Sequence, residues 1–387
     1  RQRQMCIRDR CCTSPLDAHR WLHSPRRNTR RHNPAQPPPA AATSRAPAAA
    51  FAPNPTAHDP GGSATLGRMT VTHGNKIVLI GAGAVGTAYA YAIVNQGLAD
   101  HLAIIDLNED LVWAQVEDLN HAVPFSGHHM DVTVGTYEDC RDAAMVVNCA
   151  GVAQRDGETR IDLIARNAKI FQSINSEVMA NGFNGIYVVA TNPVDVLSYI
   201  TWKQTGLPSN QVIGSGTVLD TARWRHNLGL HFDIAPSAVH THIIGEHGDT
   251  ELPVFSSGSV GGVPLRAMLE TEAETNPDIY TQMDEMFIRT RDAAYDIIKR
   301  KGNTAFGIGN ALARITRAIL RNEDVVLPVS ALLEGEYGLD DLYIGTPTVL
   351  NRSGVRNVVE LRLDSDELEK FRHSAGALRE VIDRAEF

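Results

Sequence analysis

The sequence predicts an α/β protein, in which a doubly wound parallel sheet is followed by an α+β domain. Between residues 76 and 190, short apolar runs alternate with helical stretches, a pattern typical of parallel strands joined by helices. After about residue 214 the apolar runs become scattered and longer helical stretches follow. A chain of 387 residues is long enough for two domains with separate cores.

Residues 1–68 have a different composition from the rest of the chain. They contain ten of the 19 prolines and eleven Arg against three Asp, without a sustained apolar period. Such a segment lacks the material for a packed core, so we expect a disordered extension. We favour an artefact of upstream translation or assembly, with Met69 as the natural start. A targeting presequence and a functional basic arm are the alternatives.

The remaining chain divides into predicted domains at 69–214 and 215–387. Short apolar runs bounded by turn residues predict buried strands at 76–80, 101–106, 131–134, 144–149 and 186–190. An Ala-rich helix is predicted at 85–95. Near the C-terminus, apolar residues recur at spacings of three and four, which indicates one face of a helix packed on the body. These residues are Leu368, Phe371, Ala375, Leu378 and Ile382.

Charge and composition exclude several partners. Residues 69–387 hold 25 basic and 42 acidic side chains, a balance of −17, whereas residues 1–68 carry +8. Nucleic acid is not expected as a partner, because phosphate neutralisation needs a basic face. No apolar run approaches the roughly 20 residues that span a bilayer, so no membrane partner is expected. The five cysteines match neither a zinc site nor a disulfide framework, which favours a reducing compartment and no metal.

A glycine-rich turn after the first strand predicts a dinucleotide site. Residues 81–86 read Gly-Ala-Gly-Ala-Val-Gly between a strand and a helix, and Asp106 follows 20 residues after Gly86. This spacing is typical of the dinucleotide-binding turn in a Rossmann sheet. The alternative, a glycine-rich turn with only a structural role, does not require the strand, the helix and the acidic residue at these positions. Gly81 permits the tight turn, Gly83 lets the backbone approach a pyrophosphate, and Gly86 permits close packing. The Asp106 carboxylate can accept hydrogen bonds from the ribose hydroxyls, and it would repel a 2′-phosphate. We therefore expect NAD rather than NADP.

Four polar segments supply candidate catalytic groups, at 154–160, 190–195, 220–223 and 245–249. Each has an ordinary structural interpretation: a solvated loop, an Asn-Pro turn, a helix-surface ion pair and a packed histidine. Because all four segments follow a dinucleotide-binding motif in the same chain, we interpret them together as parts of one catalytic site. Strand ends and polar loops are where α/β proteins carry catalytic groups.

This set resembles the lactate/malate dehydrogenase superfamily, and most closely its bacterial L-lactate dehydrogenases, over nearly all of residues 75–387. The resemblance implies reversible reduction of pyruvate to (S)-lactate by NADH. It implies that His247 exchanges a proton with the substrate oxygen while Asp220 fixes the imidazole tautomer. Arg160 is expected to move in with its loop and polarise the carbonyl.

The same resemblance implies further substrate contacts. Arg223 is expected to bind the substrate carboxylate through a two-point fork, with Asn192 bonded to the substrate oxygen and Thr304 lining the pocket. Gln154 favours pyruvate, since an Arg at this position would be needed to pair the second carboxylate of oxaloacetate. A malate or other L-2-hydroxyacid dehydrogenase is the alternative. A non-catalytic NAD-binding protein is disfavoured, because such a protein is expected to have lost the catalytic residues, whereas Arg160, Asp220, Arg223 and His247 are all present.

Cofactor contacts and a regulator also follow from the resemblance. Arg225 and His240 match positions that bind fructose 1,6-bisphosphate between subunits of allosteric homotetramers. Ordinary interface residues are the alternative interpretation. The implied setting is glycolytic or fermentative NAD regeneration in the cytoplasm. The expected cofactor contacts are Gly81, Gly83, Val85, Gly86, Asp106, Tyr137, Gly151, Val152, Ser173, Ala190, Asn192 and Ser215.

Overall fold

The computed structural model describes residues 75–152 and 160–384, with Arg160 described in its backbone only. The predicted N-terminal extension and Gln154 lie outside these residues. The strands, numbered along the chain, are β1 Lys76–Ile80, β2 His101–Ile105, β3 Asp131–Val134, β4 Met145–Asn148, β5 Ile186–Val189, β6 Val212–Gly214, β7 Val239–His240, β8 Ile243–Ile244, β9 Leu252–Pro253, β10 Ser259–Val260, β11 Val263–Pro264, β12 Val325–Glu334, β13 Asp340–Asn351 and β14 Gly354–Val358. The helices are α1 Ala84–Gln96, α2 Glu109–Ala122, α3 Arg160–Ala180, α4 Val194–Thr205, α5 Val218–His231, α6 Leu265–Ala273, α7 Ile279–Lys301, α8 Phe306–Leu320 and α9 Ser365–Arg384.

The predicted doubly wound sheet is present. Its parallel part has the strand order β3-β2-β1-β4-β5-β6, and every neighbouring pair runs in the same direction. The chain winds outwards from β1 to β3 and then returns to lay β4 against β1. A crevice forms at such a reversal, outside the carboxyl ends of the strands, and ligands bind there. The fold class is confirmed, and each predicted strand ends within one residue of the observed one.

The sheet continues into the C-terminal part of the chain. Ser330 on β12 pairs with Gly214 on β6, and β13 and β14 follow antiparallel, so that this sheet has nine strands within the described residues. The two longest, β12 and β13, were not predicted. Both are buried over most of their length, with side chains in the cores on both faces of the sheet. A strand covered on both faces lacks the polar–apolar alternation that marks a half-buried one.

Helices cover both faces of the sheet. Ile77 and Leu79 of β1 pack into one core with α1, α2 and α8, whereas Val78 and Ile80 pack into another with α3, α4 and α9. Successive side chains of a strand point to opposite faces, so β1 contributes to both cores. The predicted C-terminal face of α9 is confirmed. Four of its five residues are buried in the second core, and Leu368 is partly buried against it.

A third, smaller core holds α5 in place. Trp224 of α5 is fully buried and makes edge-on contacts with Phe255 and Phe287, at ring-centroid distances of 5.8 and 6.3 Å. Residues from α6, α7, β7 and β10 complete this core. The packing fixes the rotation of α5, which carries two of the candidate catalytic residues. Within the described parts of the chain, every helix is too short or too polar to cross a membrane.

Candidate active site

The turn between β1 and α1 has the features of a phosphate-binding turn. Gly81 has a φ of +100°, and a Cβ there would lie 2.6 Å from the Ala150 nitrogen. A Cβ on Gly86 would lie 1.9 Å from the Gly81 carbonyl oxygen, so both positions require glycine. A Cβ on Gly83 would meet no described atom within 4 Å, and no side chain caps α1 there. The open space and the uncapped amides fit an anionic group at the helix N-terminus.

Asp106 connects this turn to the end of β2. Its carboxylate accepts a hydrogen bond from the Ala82 N–H at 2.7 Å and another from the Asn108 N–H at 3.0 Å. The carboxylate is thereby held beside the glycine turn, where a ribose follows the pyrophosphate in dinucleotide-binding sheets. The turn and the carboxylate together fit a dinucleotide without a 2′-phosphate.

The other predicted cofactor contacts mostly follow strand ends. Tyr137 begins a short 3₁₀-helix after β3 and is partly buried, and Ser215 follows β6. Gly151 and Val152 are exposed after β4, where the Val152 N–H donates to Asn167 Oδ1 at 2.9 Å. Ser173 differs, because it is exposed on α3. Four of these five residues therefore lie at the carboxyl edge of the sheet.

One cavity of about 460 Å³ gathers residues from distant parts of the sequence. It draws on the glycine turn, on the ends of β5 and β6, on α5, on the loop after β8 and on the segment before α8. Gln154 lies outside the described residues, and the Arg160 side chain is not described. The predicted site residues that line the cavity are Val85, Ala190, Asn192, Ser215, Asp220, Arg223, His247 and Thr304.

Asp220 is the central acceptor of the cavity. The His247 Nδ1–H donates to Asp220 Oδ2 at 2.7 Å, and Arg223 Nη1 donates to Asp220 Oδ1, also at 2.7 Å. A spacing of three residues puts Asp220 and Arg223 on the same face of α5. Asp220 is only 2% exposed, so these charge-assisted bonds are shielded from solvent. Nε2 is the His247 nitrogen left for a ligand.

The charges in this group are mutually stabilised. Burial lowers the pKa of His247, but the charge and hydrogen bond of Asp220 outweigh it and raise the pKa to about 9. Burial raises the pKa of Asp220, yet His247 and Arg223 together hold that pKa below its usual range. At neutral pH the group therefore combines an imidazolium with a carboxylate, and it can donate a proton through Nε2.

Two further residues fix the backbone of His247 and were not predicted. The His247 N–H donates to Asp195 Oδ2 at 2.8 Å, and the Ser330 hydroxyl donates to Asp195 Oδ1 at 2.6 Å. Asp195 stands in the first turn of α4, and Ser330 lies on β12. The only sequence signal was the position of Asp195 just after the Asn-Pro turn. Glu251 and Arg291 also line the cavity without having been predicted.

Comparison with known proteins decides the family. Residues 75–214 match the NAD binding domain of lactate/malate dehydrogenases, and residues 217–386 match the alpha/beta C-terminal domain of the same enzymes. The chain belongs to the lactate/malate dehydrogenase family. The resemblance stated from the sequence is confirmed, as is the expectation of NAD as the cofactor of the dehydrogenase.

Individual members of the dehydrogenase family are also similar to the chain. An L-lactate dehydrogenase of Corynebacterium jeikeium is 63% identical over 314 residues, which is 81% of this chain and 95% of that protein. L-lactate dehydrogenase 1 of Staphylococcus aureus is 56% identical over 318 residues, or 82% of this chain and 99% of that protein. A ligand-bound crystal structure of the minor L-lactate dehydrogenase from Enterococcus mundtii has a TM-score of 0.78 at 42% identity, covering 81% of this chain and 99% of that one. These relatives confirm the expected enzyme class, an NAD-dependent L-lactate dehydrogenase.

Proposed function

We propose that the chain reduces pyruvate to (S)-lactate while oxidising NADH, and catalyses the reverse reaction. The observation that carries this proposal is the His247–Asp220–Arg223 group in a single cavity beside the glycine turn. An imidazolium supplies a proton to a ketone oxygen, and a guanidinium binds a carboxylate. A small 2-oxoacid presents both of these groups to the cavity at once.

Each residue has a distinct part in the proposed reaction. A guanidinium has five N–H donors, and Arg223 uses one of its nitrogens to bond Asp220. Its remaining donors bind the substrate carboxylate. His247 donates the proton on Nε2 to the ketone oxygen, and Asp220 holds the ring by Nδ1 and stabilises its charge. Asn192 hydrogen-bonds the same oxygen, and Thr304 lines the pocket. The bound nicotinamide supplies the hydride.

We also assign the loop before α3 to the substrate. Leu163 lines the cavity, and Arg160 precedes it by three residues at the start of α3. This spacing favours a position of Arg160 on the cavity side of the helix. Its guanidinium then polarises the carbonyl as negative charge develops. Gln154 in the same loop selects the methyl group of pyruvate over a second carboxylate.

The Gln154→Arg variant is expected to shift preference toward oxaloacetate. The kcat/KM ratio of oxaloacetate to pyruvate should rise by about 10- to 100-fold, because a hydrogen bond to a charged group contributes about 1.5–3 kcal/mol. Steady-state kinetics with both ketoacids measure the ratio. Gln172→Arg, at an exposed position of α3, is the matched control and should leave the ratio unchanged. An unaltered ratio in the Gln154 variant would contradict the role given to that residue.

We further propose a homotetramer activated by fructose 1,6-bisphosphate at Arg225 and His240. The Arg225 Nε–H donates to the carbonyl of Thr241, the residue after His240, so the two positions are neighbours. His240 is exposed, and α5 carries Arg225 together with Asp220 and Arg223. A phosphate bound at Arg225 therefore acts on the helix that binds the substrate. This shared helix is the physical support for coupling between the two sites.

Fructose 1,6-bisphosphate is expected to lower the apparent KM for pyruvate by about 5- to 150-fold, the usual range of allosteric coupling. Titration at low pyruvate measures the effect, with fructose and inorganic phosphate as separate controls. Arg225→Gln should remove most of the activation, since it deletes the forked phosphate donor. A KM for pyruvate that stays constant through the titration would rule out this regulation.

The domain and cellular assignments are proposed on the same basis. Residues 69–214 form the NAD-binding domain and residues 215–387 the catalytic domain, in agreement with the two family matches. The enzyme regenerates NAD in the cytoplasm during glycolysis or fermentation. A panel of 2-oxoacids with NADH and NADPH tests the function. Binding of NADH without turnover of any 2-oxoacid would favour the non-catalytic alternative.

A further inference from the structure

A second acidic side chain lies beside the His247–Asp220 pair. Glu251 immediately precedes β9 and is only 6% exposed. Its carboxyl group, an Asp220 oxygen and a His247 ring nitrogen lie within 4.8 Å of one another. Glu251 Oε1 has no hydrogen-bond partner within residues 75–152 and 160–384. A buried, unpartnered oxygen at this place is costly, which points to a role for the side chain.

The surroundings of Glu251 disfavour its charged form. Burial raises its pKa, and the negative charge of Asp220 adds to this, while His247, Arg223 and Arg291 act in the opposite direction. The net result is a pKa of about 9, so Glu251 is a neutral acid at pH 7. Its ionisation is coupled to that of His247, because loss of the imidazolium removes a favourable charge.

Glu251 also forms the wall between two cavities. On one side lies the substrate cavity, and on the other a cavity of about 930 Å³ between α6, α7 and α9. The Glu367 carboxylate on that side is occupied by the backbone N–H groups of Phe255 and Ser256. The other acidic or basic groups on the helices around that cavity are Arg266 and Glu270 on α6, Asp284 on α7, and Asp366, Glu369, Lys370 and His373 on α9.

An ionised Glu251 would change what Arg223 binds. Arg223 already donates to Asp220, lines the same cavity as Glu251, and lowers the pKa of Glu251 by its charge. A second carboxylate beside it would attract the guanidinium and compete with the carboxylate of the substrate. It would also repel the substrate directly in an environment where charges are poorly screened. The neutral acid has neither effect.

We propose that Glu251 is a positioning residue that acts in its protonated form and keeps the Arg223 guanidinium available to the substrate carboxylate. The proposal rests on the proposed function of Arg223. When hydroxide removes the Glu251 proton as water, the new carboxylate weakens the binding of pyruvate and lactate alike. The effect falls on KM, because no atom of Glu251 takes part in the proton transfer.

Lactate oxidation separates this ionisation from that of His247. It requires neutral His247, so rising pH favours the proton acceptor, and deprotonation of His247 cannot cause an alkaline loss. In the wild-type enzyme, we expect the KM for lactate to rise about tenfold per pH unit above the pKa that Glu251 has beside neutral His247, while kcat does not fall. Profiles are measured to about pH 10.5 with EDTA present, so that no cation neutralises the three-residue group.

Glu251→Gln keeps the shape of the side chain and removes its charge. Its KM for lactate should stay flat over the same pH range. Glu270→Gln, at an exposed position of α6 on the 930 Å³ cavity, is the matched control and should keep the wild-type rise. Infrared difference spectra give a readout independent of turnover. The carboxylic-acid C=O stretch should be present at neutral pH in the wild type, lost at high pH and absent from Glu251→Gln.

Each outcome bears on the proposal. A flat lactate KM in the wild type, or a rise that persists in Glu251→Gln, overturns it. So does a missing carboxylic-acid band. If Glu251→Gln does not fold, the wild-type KM profile and infrared band still decide. Absence of any lactate turnover in the wild type contradicts the proposed function instead, and the infrared band then tests Glu251 by itself.

Discussion

Replacing Asp220 with Asn is expected to lower kcat for pyruvate reduction at neutral pH by about 10²- to 10⁴-fold, the usual contribution of a positioned acid or base. The amide lacks the charge of Asp220, which is the strongest influence that raises the pKa of His247, so that pKa falls. Imidazolium becomes scarce at pH 7, and the contact that fixes Nδ1 is weakened. Steady-state rates with NADH at saturating pyruvate measure the loss.

The pH profile identifies the cause of that loss. In the wild type, we expect kcat at saturating pyruvate, which the KM effect of Glu251 does not enter, to be level below the His247 pKa and to fall as pH rises through about 9. In Asp220→Asn the fall should begin at lower pH. Asp118→Asn, on the exposed face of α2, is the control and should match the wild type. A profile of Asp220→Asn that falls at the wild-type pH would show that Asp220 does not set the His247 pKa.

The strands that the sequence predicts are those bounded by turn residues close to them in the sequence. β1 ends at a glycine turn and β5 at an Asn-Pro turn, so short apolar runs could be delimited within one residue. β12 and β13 lack the polar–apolar alternation of a half-buried strand, because both of their faces are buried. Their place beside β6 depends on a pairing between Ser330 and Gly214, more than a hundred residues apart. Pairing across such a distance leaves no periodic trace in either segment.

The candidate site likewise contains residues that short sequence motifs predict and residues that only contacts between distant parts of the chain reveal. His247, Asp220 and Arg223 stand in short motifs, and the structure brings them into one cavity. The bonds from Asp195 to His247 and Ser330 span 52 and 135 residues. Glu251 was missed for another reason. An acidic residue in a polar loop is usually solvated, and only its burial beside Asp220 makes its protonation state relevant to the site.

Three consecutive residues of α5 have different surroundings: Arg223 lines the cavity, Trp224 packs in the third core, and Arg225 bonds to the segment after β7. Trp224 is fully buried in the third core, whereas its neighbours Arg223 and Arg225 are only partly buried. Arg223 reaches the substrate cavity, while Arg225 bonds to the segment that carries His240. A shift of α5 as a rigid body would move both guanidinium groups together. This geometry is the physical reason for expecting events at Arg225 to alter substrate affinity at Arg223.

Replacing Arg223 with Lys is expected to lower kcat/KM for pyruvate by about 10²-fold, or roughly 2–3 kcal/mol, mainly through KM. The ammonium is a single point charge, so it cannot hold Asp220 Oδ1 and grip a carboxylate with two parallel bonds. Charge is conserved in this variant, and the loss therefore reports geometry alone. Steady-state kinetics at pH 7 give the KM and kcat values separately.

Arg289→Lys is the matched control for this prediction, because Arg289 is an exposed residue of α7 in a surface ion pair with Glu285. Such pairs contribute about 0–1 kcal/mol, so its kinetics should stay near wild type. The pH at which kcat falls should move little in Arg223→Lys, since the contact between His247 and Asp220 Oδ2 is untouched. A kcat/KM within about twofold of wild type would mean that forked binding is not what holds the substrate. The carboxylate would then need another anchor, and Arg291 is the other described arginine that lines the cavity.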